Sequence, residues 1–92
     1  MNARTLFPHV LQALAKAQSE GEVSTLETLT DAIGVRRADV RRTVTVLHRQ
    51  GYVDALRMRL TLAGFTLGRA YLGETLPALR RSTAANGNAV AA

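Results

Sequence analysis

The apolar residues of the central third of the chain repeat with the period of an α-helix on both sides of Gly34. The repeating positions are Leu26, Leu29 and Ile33 before the glycine, then Val40, Val44 and Leu47 after it. Each set lies on one face of a helix. Glycine adopts at no steric cost the left-handed conformation in which many helices end. The pattern therefore predicts a helix-turn-helix over residues 25–50, with its turn at Gly34.

Capping signals set the ends of these two helices. Ser24 and Glu27 have the spacing S-x-x-E of a capping box, in which both side chains accept backbone N–H groups at the start of a helix. The second helix should run over residues 37–50 and stop at Gly51. Asp39 lies in its first turn, where the helix dipole favours negative charge. We therefore interpret Asp39 as a residue of the cap region.

The residues before this pair predict a first helix over 5–19. Thr5 can cap it, and Pro8 falls in the first turn, where the missing N–H has no partner within the helix. Val23, after a polar loop, could form a very short strand. The apolar face of the first helix consists of Phe7, Val10, Leu11 and Leu14.

After Gly51 the apolar pattern changes to a period of two. Leucine and methionine at positions 56, 58, 60 and 62 alternate with Arg57, Arg59 and Thr61, as in a half-buried strand. With Tyr52 and Val53 as its partner, this stretch predicts an antiparallel hairpin, or wing, over residues 52–62. Arg57 and Arg59 should lie on its solvent face near the tip.

A C-terminal helix should follow over residues 62–81, broken near residue 73. Its glycines at positions 64 and 68 are spaced for close packing of one helix against another, and a short second piece could start at Thr75 with Pro77 in its first turn. Residues 82–92 have no periodic apolar face, which predicts a disordered tail. The chain is thus expected to form one domain over residues 1–81.

The positive charge is concentrated in a quarter of the chain. Of the 92 residues, 12 are Lys or Arg and 7 are Asp or Glu. Residues 36–59 contain seven arginines and two aspartates, and this segment holds the whole net charge of +5. Such clustering is typical of proteins that bind polyanions. Eleven of the twelve basic residues are arginines, whose planar fork suits phosphates and guanine edges.

A helical wheel places much of this charge opposite the apolar seam of the second helix. The opposite side carries Ala38, Arg41, Arg42, Thr45 and Arg49. A basic helix face interrupted by short side chains suits the major groove of DNA. The same arginines could instead only keep the helix soluble.

The composition argues against several other classes of protein. The chain has no cysteine, which excludes disulfides, thiolate zinc sites and thiol catalysis and suits a reducing cytoplasm. It has no apolar run near the roughly 18 residues of a membrane span and no signal-peptide pattern at its start. His9 and His48 are the only histidines, so neither an enzyme nor a metal or cofactor site is expected. The low aromatic content argues against a stacking platform for single strands.

The order of these elements resembles the winged helix-turn-helix fold, mainly α with a small two- to three-stranded antiparallel β wing. The residues that carry the resemblance are 29–35 (LTDAIGV), 40–53 (VRRTVTVLHRQGYV) and 60–64 (LTLAG), and the closest similarity is to bacterial MarR and PadR-type transcriptional regulators. The resemblance implies a cytoplasmic, nucleoid-associated homodimer that binds specific sequences of double-stranded DNA. It indicates no small-molecule effector.

Two sets of residues follow as candidates. Those expected at DNA are Arg36, Arg37, Ala38, Arg41, Arg42, Thr45, His48, Arg49, Arg57 and Arg59. Those expected between two copies of the chain are Phe7, Leu11, Phe65, Gly68, Tyr71 and Leu72. The alternative is a winged helix that uses the same basic face to dock an acidic partner protein, because the fold alone does not fix the function.

Overall fold

The computed structural model describes residues 2–79, which form a mainly helical unit with one small antiparallel sheet. This agrees with the predicted fold class in its coarse outline. Within the described residues, no helix is long and apolar enough to cross a membrane. The elements in chain order are α1 (Ala3–Ser19), α2 (Leu26–Ile33), α3 (Arg37–Arg49), β1 (Val53–Asp54), β2 (Arg59–Leu60) and α4 (Leu62–Arg69).

The core forms around α1, which packs against all three other helices and against β2. Its apolar positions follow the helical period, so one face of α1 is removed from water between Leu6 and Ala15. The fully buried side chains of the core come from α1, α3 and β1, and the largest of them are Leu6, Leu14, Leu47, Val10, Val40 and Val53. The hydrophobic contact between α1 and α3 therefore fixes which side of α3 faces outward.

The starts of α1 and α2 differ from the predicted ones by one to three residues. Asn2, not Thr5, caps α1, because its side-chain oxygen accepts the N–H of Arg4 at 2.8 Å. Thr25, not Ser24, caps α2: its hydroxyl oxygen accepts the N–H of Thr28 at 3.1 Å, and the Thr28 hydroxyl oxygen accepts the N–H of Thr25 at 2.9 Å. Ser24 and Thr25 are adjacent hydroxyl residues, and Thr25 is the N-cap.

The predicted turn between α2 and α3 is confirmed. Gly34 ends α2 with φ of 82°, the left-handed conformation, and its N–H donates to the carbonyl of Thr30 at 2.8 Å. Only residues 34–36 separate the two helices.

The hairpin over residues 53–60 is shorter than the predicted wing. Each strand has two residues, with Val53 opposite Leu60 and Asp54 opposite Arg59. The alternating pattern of residues 56–62 does not continue as a strand, because residues 55–58 form the turn and Met58 has φ of 51°. Leu56 and Leu62, predicted on the buried side, are 95% and 85% exposed.

No third strand forms at Val23, which is 87% exposed. The outer edge of β2 is already occupied, because the side-chain oxygen of Gln18 in α1 accepts the N–H of Leu60. The sheet of the described chain thus has two strands.

The C-terminal helix is also shorter than predicted. After α4 the chain turns at residues 70–73, and residues 74–79, where the described part of the predicted second piece lies, are not helical. Contacts from α1 hold this segment instead: the Gln12 amide donates to the carbonyls of Tyr71 and Glu74, and His9 Nε2 lies 2.9 Å from the carbonyl oxygen of Pro77. The predicted tail of residues 82–92 lies outside the described residues.

Helix α4 packs closely against the backbone at Tyr52. A Cβ at Gly64 would overlap the Tyr52 carbonyl oxygen, so only glycine fits there without a shift of the backbone. The same carbonyl accepts the N–H of Thr61 at 3.0 Å, and the Thr61 hydroxyl caps α4. The start of α4 is therefore fixed against the residues that follow α3.

This close approach predicts the effect of one methyl group. Gly64→Ala should lower the free energy of unfolding by about 1–3 kcal/mol, the usual cost of overpacking. Without the steric conflict, alanine would raise the stability of a helix by up to about 1 kcal/mol. Urea denaturation measures the difference, and a neutral or stabilising result would contradict the predicted packing. Thr66→Ala on the exposed side of α4 is the control, expected within about 0.5 kcal/mol of wild type.

Candidate functional site

Helix α3 has one buried and one exposed side, as its sequence predicted. The seam of Val40, Val44 and Leu47 is between 0% and 3% exposed. Thr43 lies in the same buried surface, which periodicity of apolar residues did not indicate, and its hydroxyl donates to the carbonyl of Asp39 at 2.8 Å. The polar side chain is buried at little cost because its hydrogen bond is made within the helix.

The exposed side of α3 and its N-cap, Arg36, carries all of the predicted contact residues of this helix. We call this surface the basic face, and its members are Arg36, Arg37, Ala38, Arg41, Arg42, Thr45, His48 and Arg49, all of them exposed. Ala38 and Thr45 are the short side chains of this face. The Thr45 hydroxyl donates to the carbonyl of Arg41 at 3.0 Å, which keeps that side chain close to the helix.

One acidic residue borders the basic face. Asp39 lies in the first turn of α3, as predicted, and is only 7% exposed. Its carboxylate lies 3.5 Å from a guanidinium nitrogen of Arg42, whose side chain is 58% exposed. Arg41 forms no ion pair with another residue of the described chain, 2–79. Arg41 is therefore better placed than Arg42 to bring its full charge to an anion.

His48 connects the basic face to the hairpin. Its Nδ1 lies 3.0 Å from the carbonyl oxygen of Val53 and 3.2 Å from the backbone nitrogen of Ala55. Depending on the tautomer, the ring donates to the first or accepts from the second. In both cases the last turn of α3 is tied to the start of the hairpin turn. This structural role was not evident from the sequence, which indicated only an exposed contact residue.

A single carboxylate organises the turn of the hairpin. Asp54 Oδ1 accepts the N–H of Leu56 at 3.1 Å and the N–H of Arg57 at 3.3 Å, and Oδ2 lies 3.2 Å from the Arg57 guanidinium. The Arg57 N–H first, then the Leu56 N–H and the Arg57 charge, hold the pKa of Asp54 below its ordinary value. An aspartate at the start of a turn is a recognised signal for such bonds, so the sequence contained it.

The two hairpin arginines are exposed, as predicted. Arg57, paired with Asp54, has a side chain that is 77% exposed. Arg59 stands on β2, opposite Asp54 in register. With the basic face, they bring all seven arginines of residues 36–59 to the surface.

The residues predicted between two copies separate into two groups. Leu11 is 2% exposed within the core, and a Cβ at Gly68 would lie 2.8 Å from the Leu11 carbonyl oxygen. Both positions therefore join α1 to α4 inside one chain and are not available to a second copy, which corrects their predicted role. Four others are half-buried against the core, namely Phe7, Phe65, Tyr71 and Leu72.

The described residues contain no group of three or more His, Asp or Glu side chains that could hold a metal ion. His9, which the sequence left without a role, contacts the segment after α4 through Nε2, while its Nδ1 is buried and has no hydrogen-bond partner among residues 2–79.

Comparisons of this chain with protein-family models, with curated proteins and with solved structures find no match.

The pKa of Asp54 gives a prediction for the hairpin. The Asp54 carboxyl has a lower pKa in the folded chain than in the unfolded one. Its ionised form therefore stabilises the turn fully at a pH above the unfolded-state pKa, and this stabilisation is lost as the pH falls through the folded-state pKa. In an NMR titration, the amide signals of Leu56 and Arg57 should shift together with a midpoint below about 3.9.

Asp54→Asn should abolish that transition while both amide signals remain dispersed. A midpoint at or above the ordinary value, or the same transition in the Asn variant, would contradict the proposed turn geometry.

Proposed function

We propose that this chain is a winged helix-turn-helix protein that binds double-stranded DNA and regulates transcription in the bacterial cytoplasm. In this proposal α3 enters the major groove and the hairpin acts as the wing. The observation that carries the proposal is the orientation of α3, whose apolar seam is buried while its arginines and short side chains are exposed.

The distribution of charge supports a ligand bound on one side. All seven arginines of residues 36–59 are exposed, whereas residues 20–31 contain four acidic residues and no basic one. An anion is therefore attracted to α3 and the hairpin and repelled by the loop and helix before them. Duplex DNA is the polyanion whose regular phosphates match such a stripe of cations.

The dimensions also favour a duplex. Helix α3 has 13 residues, a length of about 20 Å at the usual rise per residue. The major groove is about 12 Å wide and admits one α-helix. Ala38 and Thr45 let the backbone of α3 approach the base edges, while the arginines around them reach bases and phosphates. The hairpin, tied to the end of α3 by His48, extends the basic surface toward the adjacent phosphates.

Salt dependence tests the proposal. Fluorescence anisotropy should show binding to a random-sequence duplex, with affinity that falls steeply between about 50 and 300 mM salt, at a log–log slope near −0.9 per phosphate contacted. Absence of binding at the lowest salt would refute DNA as the ligand. In that case the basic face would be a docking surface for an acidic protein, the alternative function of this fold.

Variants of the basic face test which side binds. Arg41→Ala should lower the affinity and reduce the salt slope by about 0.9, because one phosphate contact is lost, or relax base preference by roughly 1–3 kcal/mol if Arg41 binds guanine. Arg69→Ala, at an exposed position of α4, removes the same charge and should change neither quantity. Equal effects of both variants would show that only net charge matters and would refute the assigned face.

We also propose that two copies of the chain pair, through a smaller surface than the sequence predicted. With Leu11 and Gly68 inside the chain, the available surface is that of the exposed leucines of α4, Leu62 and Leu67, beside half-buried Phe65. Sedimentation that shows only a 9.9 kDa species at tens of micromolar would contradict it.

A further inference from the structure

The most exposed large apolar side chain in the described residues lies at the tip of the hairpin. Leu56 is 95% exposed, compared with 87% for Val23 and 85% for Leu62. A single exposed leucine is common on protein surfaces and needs no explanation by itself. Leu56 differs from Val23 and Leu62 because hydrogen bonds hold the backbone beneath it and because arginines lie next to it.

The backbone under Leu56 is held in place. Its own N–H and the next one both donate to the Asp54 carboxylate, and the N–H of Ala55 lies at 3.2 Å from His48 Nδ1. The exposure of Leu56 is thus set by an ordered turn. The Leu56 side chain lies away from the core, whereas Met58, two positions further along the same turn, is half-buried.

The surroundings of Leu56 are those of the proposed DNA surface. Arg57 follows it directly, Arg59 begins β2, and Ala55 before it contacts His48 of the basic face. Leu56 is thus an apolar side chain with cationic neighbours. It is well suited to a ligand with a charged exterior and an apolar interior, which is the arrangement of phosphates and stacked bases in DNA.

We propose that Leu56 enters the minor groove next to the major groove that holds α3, inserts between base pairs, and bends the duplex. This inference rests on the proposed function. Proteins that bind the minor groove often insert a leucine or another apolar side chain between adjacent base pairs, which kinks the DNA duplex toward its major groove. The minor groove is about 6 Å wide, so a single side chain on a narrow turn can reach its floor. Arg57 and Arg59 bind the phosphates on its edges.

The experiment uses a short duplex selected from a random pool by binding to the full chain, with a fluorophore at each end. Wild-type protein should raise the energy transfer between the ends, because bending brings them closer. Leu56→Ala should remove most of this increase and weaken binding by roughly tenfold, the contribution of one buried leucine. The salt slope should not change, because no phosphate contact is lost.

Two variants serve as matched controls. Val23→Ala removes an apolar side chain that is 87% exposed, in the loop before α2, and should leave both energy transfer and affinity as in wild type. Arg59→Ala should give the opposite signature to Leu56→Ala, with a smaller salt slope.

The outcomes separate the two levels of the proposal. If no duplex is selected from the pool, the proposed function fails. If the duplex binds and wild-type protein produces no bend, or Leu56→Ala binds and bends as wild type does, the wedge is refuted while DNA binding stands. A Leu56→Ala variant that binds DNA normally but loses self-association would also overturn the inference, in favour of a contact between copies.

Discussion

The backbone at Tyr52 is the point on which the arrangement of the surface depends. Its N–H donates to the carbonyl of Leu47 in α3, its carbonyl accepts the N–H of Thr61, and Gly64 lies against it with no room for a side chain. Strands of two residues cannot hold a hairpin in position by themselves. The direction of the hairpin relative to α3 is therefore set by this junction, where the last turn of α3, β1 and the start of α4 meet.

Burial of the apolar seam sets the orientation of α3, as the junction at Tyr52 sets the direction of the hairpin. Each of Val40, Val44 and Leu47 contributes on the order of 1.5–3 kcal/mol when fully removed from water. Rotation of α3 about its axis would expose this seam and bury guanidinium groups, which is far more costly. The basic face is thus a consequence of packing on the other side of the helix, and it does not depend on contacts among the arginines themselves.

The sequence predicted the helices and the charged side of α3 because these follow from periodicity and from a glycine at position 34 that only a turn explains. Predictions from the sequence were wrong where two local signals compete, or where residues distant in the chain determine the local structure. The alternating stretch after Gly51 predicted a long strand, but Asp54 binds two backbone N–H groups and makes a turn that leaves Leu56 in water. The end of the C-terminal helix depends on Gln12 and His9, more than 50 positions away in the chain, which local pattern cannot reveal.

We propose that α3 and the hairpin form one DNA-binding surface. Mapping of backbone amide signals during titration with a short duplex tests it most directly, because each residue reports separately. We expect the signals of residues 36–49 and 55–59 to shift together and saturate together, while those of the segment 20–31, which contains four acidic residues, remain unchanged. Shifts concentrated in residues 20–31 or spread evenly over the chain, or no shift in α3 at saturating duplex, would contradict it.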